Sequence, residues 1–158
     1  MAANPMPKPP LYPFKKYNYR VEIDSIDVPA FAEISGCDAS VEVLEYREGS
    51  DPINSPRKLP GMTKYGNVTL RWGMSENKAF YEWVFGIVDG SRGTPDQRVQ
   101  DVTIYLRGDN PSAKEDLASW TLVNAWPCKY TGPDFNASAS EIAFESVERA
   151  FEEMRRNL

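Results

Sequence analysis

The 158-residue sequence contains no histidine, which removes every mechanism that needs an imidazole: Ser-His-Asp and Cys-His nucleophile activation, histidine-ligated zinc and histidine pH switching. Cysteine is nearly as scarce. Cys37 and Cys128 stand far apart without CxxC spacing, so neither a metal site nor a redox motif is written here, and two buried thiols are expected rather than a disulfide. No hydrophobic run reaches the length of a signal peptide or a membrane span, so synthesis in the cytoplasm and no stable membrane insertion are expected. Positive charge is the minority: 18 basic against 23 acidic residues leave a net charge of −5 and a pI near 4.9. Such a molecule has no overall attraction for nucleic-acid phosphates.

What is present suits one globular domain. The length is that of a single domain with a real core, and 41% hydrophobic with 26% charged residues is ordinary globular usage. Residues 1–16 hold Pro5, Pro7, Pro9, Pro10 and Pro13, which disfavours helix and sheet and suggests an extended arm. From Tyr17 the chain alternates, with Tyr17, Tyr19, Val21 and Ile23 on one face and Asn18, Arg20, Glu22 and Asp24 on the other, as in a half-buried antiparallel strand. After a turn at 24–27, residues 28–34 form a weaker strand candidate. Residues 40–47 form another, where Val41 and Val43 give way to Leu44 and Tyr46 in a one-residue slip that a β-bulge would produce.

Residues 48–66 are rich in Gly, Pro and polar residues and read as a long loop. Val68, Leu70 and Trp72 then define a strand over 67–72. Ser75 can cap a helix over about 76–88, where Phe80, Trp83, Val84 and Ile87 follow helical spacing, Glu76 suits the first turn and Gly90 the exit. Beyond a loop at 89–96, Val102, Ile104 and Leu106, a turn region over 108–116, and then Trp120, Leu122, Asn124 and Trp126 read as a long hairpin. Ile142 and Phe144 open the last strand, although Val147, Ala150, Phe151 and Met154 have helical spacing. A strand to about Arg149 followed by a polar tail over 151–158 is favoured. The expected architecture is mainly β with one helix, an α+β antiparallel β-sandwich or open barrel with the helix on one face. A single domain should span 17–150. Such a sheet has free edges, which invite pairing with another chain.

No catalytic constellation survives inspection, and no metal or cofactor site is read. Glu42, Glu45 and Glu48 recur along one strand rather than across a cleft, so a solvated surface outweighs an acid/base pair. Residues 61–67 carry two glycines at phosphate-loop spacing, but Asn67 stands where lysine is required. Arg107-Gly108-Asp109 reads as a hairpin turn before it reads as an adhesion motif, and the sequons at Asn67 and Asn136 lack a secretion signal. Trp72, Trp83, Trp120 and Trp126 sit among apolar neighbours and are expected in the core.

Several runs, in order, resemble the tail-tube protein family of contractile phage tails and extracellular contractile injection systems. They are Val28-Pro29-Ala30-Phe31-Ala32-Glu33-Ile34-Ser35-Gly36, Glu42-Val43-Leu44-Glu45-Tyr46-Arg47-Glu48-Gly49, Lys58-Leu59-Pro60-Gly61, Val68-Thr69-Leu70-Arg71-Trp72-Gly73, the stretch ending Asn124-Ala125-Trp126-Pro127, and residues 137–145. Cys37 departs from the leucine the family tends to place after Ser-Gly, and the 50–57 loop is longer than in many relatives.

The resemblance implies a structural, non-enzymatic subunit of an inner tube. Six copies would close their sheets into a hexameric ring, and rings would stack inside a contractile sheath. The implied partners are other copies of the chain, the sheath protein, baseplate and tube-initiator proteins, a cap or terminator protein, and cargo effector or DNA in the lumen without sequence-specific binding. The family reaches the neighbouring ring with the loop at about 45–66, so charge pairing between rings is expected from Glu45, Arg47, Glu48, Asp51, Arg57, Lys58 and Lys64. Glu42 and Thr69 are the candidates to face the lumen, whose wall would belong to a ring of about −30 charge. The competing class is a small-ligand or cofactor-binding β-barrel, which visible absorbance would distinguish.

Overall fold

The computed structural model describes residues 12–23, 28–76, 78–91, 99–110, 112 and 115–157. The expected turn at 24–27, most of the loop at 89–96 and the first eleven residues of the arm lie outside them. Among these residues nine strands and one helix follow in the order β1 (Tyr19–Ile23), β2 (Phe31–Ser35), β3 (Ala39–Tyr46), β4 (Arg57–Tyr65), β5 (Val68–Gly73), α1 (Ala79–Val88), β6 (Gln100–Arg107), β7 (Asp116–Thr131), β8 (Phe144–Ala150) and β9 (Glu153–Arg156).

All pairings are antiparallel. A seven-stranded sheet runs β1-β6-β7-β8-β5-β2, with β9 also on β7, and β3-β4 form a separate two-stranded sheet. The 16-residue β7 is the spine. Its first part pairs with β6 on one side and β9 on the other, and its last part pairs with β8. Both halves of the sheet and α1 bury one core, in which Val68, Leu70, Val102, Leu122 and Val147 are fully buried beside Trp72, Phe80 and Trp83.

Alternation explains the central strands. In β5, Val68, Leu70 and Trp72 are buried while Arg71 is exposed, and in β8 Glu145, Val147 and Arg149 point inward. The connection from β2 to β3 depends on Gly36, whose φ of +92° only glycine adopts at low cost. A Cβ there would also collide with the Asn67 carbonyl. Gly36→Ala is therefore expected to destabilise the fold by about 2–3 kcal/mol, read as a lower urea midpoint at unchanged m-value.

Four sequence expectations change. Residues 57–65, read as part of a loop, form β4, because Pro60 sits where the β3-β4 register shifts, on a strand with one free side that needs no N–H from it. The C-terminal residues, read as a polar tail, instead add β9 to β7. Phe151 is buried at the corner and the Arg156 guanidinium lies 5.8 Å from the Trp120 ring. Ser75 and Glu76 precede the helix, whose N-cap is Lys78 without a side-chain cap bond; Glu82 is the acid in its first turn. Gly90, at φ +76°, donates to the Ile87 carbonyl at the exit. Finally, Trp126 is 40% exposed. Asn124 takes a left-handed φ of 53°, held by its N–H to Asp101, and this shifts the strand so that Ala125 rather than Trp126 faces the core.

Candidate functional site

The β3-β4 hairpin lies outside the core. Every residue of β3 is exposed, and β4 is buried only in part at Gly61 and Tyr65. Tyr65 anchors the hairpin base against Phe151, with ring centroids 5.6 Å apart. Register pairs Val41 with Thr63, Val43 with Pro60, Leu44 with Leu59, Glu45 with Lys58 and Tyr46 with Arg57. The two faces each carry apolar side chains: Val41 and Val43 on one, Leu44, Leu59 and Tyr46 on the other, all about half exposed, with Met62 more so at 70%. A two-stranded ribbon with both faces wet is marginal alone, and a contiguous exposed apolar surface of this kind marks an interaction site.

Of the charges expected to reach a neighbour, several are used within the hairpin's own tip. Arg57 Nη2 lies 3.0 Å from Asp51 Oδ1, the Glu48 N–H donates to Asp51 Oδ2 at 3.0 Å, and Arg47 donates to the carbonyls of Ile53 and Asp51. Tyr46 Oη donates to Glu48 Oε1 at 3.3 Å. Asp51 is the shielded centre of this cluster, at 12% side-chain exposure. Glu45 and Lys58 face each other across the ladder, and Lys64 sits opposite Ser40 near the base. Glu42 lies on the hairpin at the register shift, opposite the extra residue of β4. Thr69 lies on β5, half-buried between Ser35 and Glu148 on the polar outer face of the large sheet. Those two therefore sit on different sheets. The residues that sequence reasoning missed are the apolar ones; the alternation of Val41, Val43, Leu44 and Tyr46 was visible, but not that it faces solvent.

The second feature is the open sheet. β1 and β2 end the strand order, each hydrogen-bonded along one side among the described residues, and Tyr19 Oη donates to the Phe31 carbonyl at 2.8 Å where they approach. Beside β1, Arg20 forms a charged hydrogen bond to Asp116 at 2.8 Å and lies 3.7 Å from the Tyr105 ring centroid, while Arg107 lies 3.5 Å from the same carboxylate. Hydrogen bonding from Arg20 holds the Asp116 carboxyl below its ordinary value. A depressed carboxyl contributes stability above its unfolded pKa, near 4, and loses it as pH falls through the folded value. Asp116→Asn is thus expected to cost about 0.5–1 kcal/mol at pH 7 and nothing near pH 2, read from thermal midpoints across that range.

Asp109 accepts from Tyr17 Oη and pairs with Lys15, both at 2.7 Å, so the Arg-Gly-Asp stretch is a turn whose acid is occupied. Gly61, Lys64 and their neighbours are extended strand rather than a phosphate loop. Cys37 and Cys128 are free but exposed, contrary to expectation: Cys37 lies in the β2-β3 connection and Cys128 at a register shift in β7. Partial desolvation, aided by Asp38 and Glu148 respectively, pushes both thiols up and keeps them protonated. Arg149 is fully buried, with its guanidinium 4.3 Å from the Trp83 ring and 5.2 Å from Phe80, and burial lowers its pKa to about 9. Among the described residues none of its guanidinium nitrogens has a hydrogen-bond partner.

A packed antiparallel β domain with an uncovered apolar hairpin and open sheet edges belongs to the class of assembly subunits. The family model of the T4-like virus tail tube protein gp19 matches residues 15–155, so the chain belongs to that tail-tube family and is a structural subunit of an inner tube. No curated protein matches it. Among solved structures, a chain of the sheath-tube complex of the PVC extracellular contractile injection system in its extended state is 28% identical, with 92% of each chain covered and a TM-score of 0.77. A chain of the anti-feeding prophage tube-terminating cap is 29% identical over 99% of each chain, with a TM-score of 0.80. Hcp1 from Flavobacterium johnsoniae, at 11% identity, covers 87% of this chain and 93% of its own, with a TM-score of 0.51, and shares the fold.

Proposed function

We propose that six copies of this chain close into a ring through their open sheet edges, and that rings stack through the β3-β4 hairpins into the inner tube of a contractile injection particle. The observation that carries this reading is the hairpin, whose two apolar faces are uncovered in the single chain. Ring closure pairs edge strands that a monomer leaves open, and stacking removes the hairpin from water. Glu45, Lys58 and Lys64 form a charged rim to the apolar contact. Arg47, Glu48, Asp51 and Arg57 set the shape of the tip. Glu42 and Thr69 line or border the lumen, where the acidic ring repels DNA and acidic cargo in transit without sequence-specific contact.

The sheath-tube and tube-cap relatives support contact with a sheath and a terminating cap, and the family resemblance extends this to a baseplate and tube initiator. The role is mechanical rather than enzymatic: the sheath supplies the work and the tube is a stiff conduit. The chain is made in the cytoplasm, and among the described residues no helix is long and apolar enough to cross a membrane. Mass photometry of the purified chain tests ring closure. A species near six times 17.9 kDa is expected. Monomer alone at every concentration, with and without the sheath subunit, would overturn the reading.

A further inference from the structure

We infer that the proline- and lysine-bearing segment 5–16 of one copy docks in the groove under the 132–143 loop of a neighbouring copy, an inference that rests on the inner-tube reading above. The groove, of about 800 Å³, lies between that loop and β8. Its walls are built: the Asn136 side chain accepts from the Ser138 N–H at 3.0 Å, the Ala139 N–H donates to the Asn136 carbonyl at 3.2 Å, and the Met74 N–H ties the loop's end through the Ala143 carbonyl at 2.9 Å. Two of its lining residues are large apolar groups left to solvent, Phe135 at 88% and Ile142 at 71% exposure. Of its three acids, Glu145 is buried and accepts from Trp72 and Tyr130, while Asp134 and Glu141 are exposed. Arg71, on the floor, stacks 4.1 Å from the Phe144 ring centroid and faces Glu33 at 3.7 Å, so its charge is already answered.

The segment has the complementary chemistry. No acid occurs in the first 21 residues, while Lys8, Lys15 and Lys16 do, among Pro5, Pro7, Pro9, Pro10 and Pro13. Proline-dense chain favours the polyproline II form, which loses little entropy on docking and packs against apolar and aromatic grooves. Tyr12 and Phe14 are exposed at 80% and 56%. Lys15 is committed to Asp109, which leaves Lys8 and Lys16 for the groove's acids.

Reach decides between the chain's own groove and a neighbour's. Tyr12 lies beside Leu117 at one end of β7, while the groove begins at Thr131 at the other. Fourteen residues of strand span about 46 Å, and even a right-angle bend at the middle would leave about 33 Å. Pro5, seven residues before Tyr12, reaches about 22 Å from it as polyproline II. The segment falls short of its own groove, so the occupant comes from another copy.

The test is a disulfide between Pro7→Cys and Ser140→Cys in a Cys37→Ser/Cys128→Ser background of the full chain. The expected result is an interchain ladder on non-reducing gels that appears only under assembling conditions. Rings or tubes without the ladder, or an intrachain bond alone, would overturn this inference and leave the inner-tube reading standing. Failure of the unmodified chain to form rings would overturn both. A charge swap guards against a cysteine variant that does not fold. Asp134→Lys/Glu141→Lys and Lys8→Glu/Lys16→Glu should each raise the concentration for half-assembly about tenfold, and together restore it in part. Unchanged assembly in both would overturn the docking.

Discussion

Leu44→Glu combined with Leu59→Glu abolishes tube assembly while the subunit still folds. The two leucines face each other across the β3-β4 ladder, each about half exposed in the single chain. Covering the exposed half of a leucine contributes about 1 kcal/mol, so six such pairs place about 12 kcal/mol in each contact between stacked rings. Glutamate at both positions removes that term and adds the cost of burying charge. The core does not depend on this pair, so circular dichroism should be unchanged and the thermal midpoint should move by no more than about 2 °C. Negative-stain images should show no tubes. By contrast, Lys58→Ala costs about 0.5 kcal/mol or less per contact, because the charge is a solvated rim. Tubes that persist in the double glutamate variant would show that the hairpin's apolar face is not the contact.

Arg149→Met raises the thermal stability of the subunit. The guanidinium is fully buried, its nitrogens lack hydrogen-bond partners among the described residues, and its compensation is the Trp83 and Phe80 rings of α1. Cation–π contact with a desolvated ring offsets about 2 kcal/mol of a penalty that amounts to several. Methionine fills similar space without the charge, so a gain of about 1–2 kcal/mol is expected, or a midpoint higher by about 3–6 °C. Arg149→Ala should instead lower the midpoint, since it removes the charge but leaves a cavity under the helix. A large loss in both variants would mean that the charge itself is needed.

Much of the fold could be read from alternation. β5 and β6 follow their apolar period, whereas the slip expected after Val43 does not occur there: the ladder shifts between Val41 and Val43, with the extra residue in β4, and Val43 and Leu44 face opposite sides. The misreadings share a cause: local composition outvoted by pairing. Pro60 and Gly61 look like loop, yet Pro60 sits at a register shift on a strand with a free side. Glu153 to Arg156 look like a solvated tail, yet a vacant stretch of β7 takes them as a strand. Trp126 looks like core until Asn124 turns left-handed and shifts the phase. The charges of the hairpin tip suggest contacts to a neighbour, but in the single chain Arg47, Asp51 and Arg57 hold one another. Burial is a property of the assembled sheet, so one chain's sequence could not tell that Val41, Val43 and Leu44 face water.

Cryo-electron microscopy of tubes grown from the purified chain, with sheath or baseplate proteins added if nucleation requires them, tests the central claim most directly. Sixfold rings are expected, in which neighbouring copies pair at their sheet edges and the β3-β4 hairpin of each copy is covered by the adjacent ring. Rings or tubes in which Val41, Leu44 and Leu59 remain in solvent would contradict it.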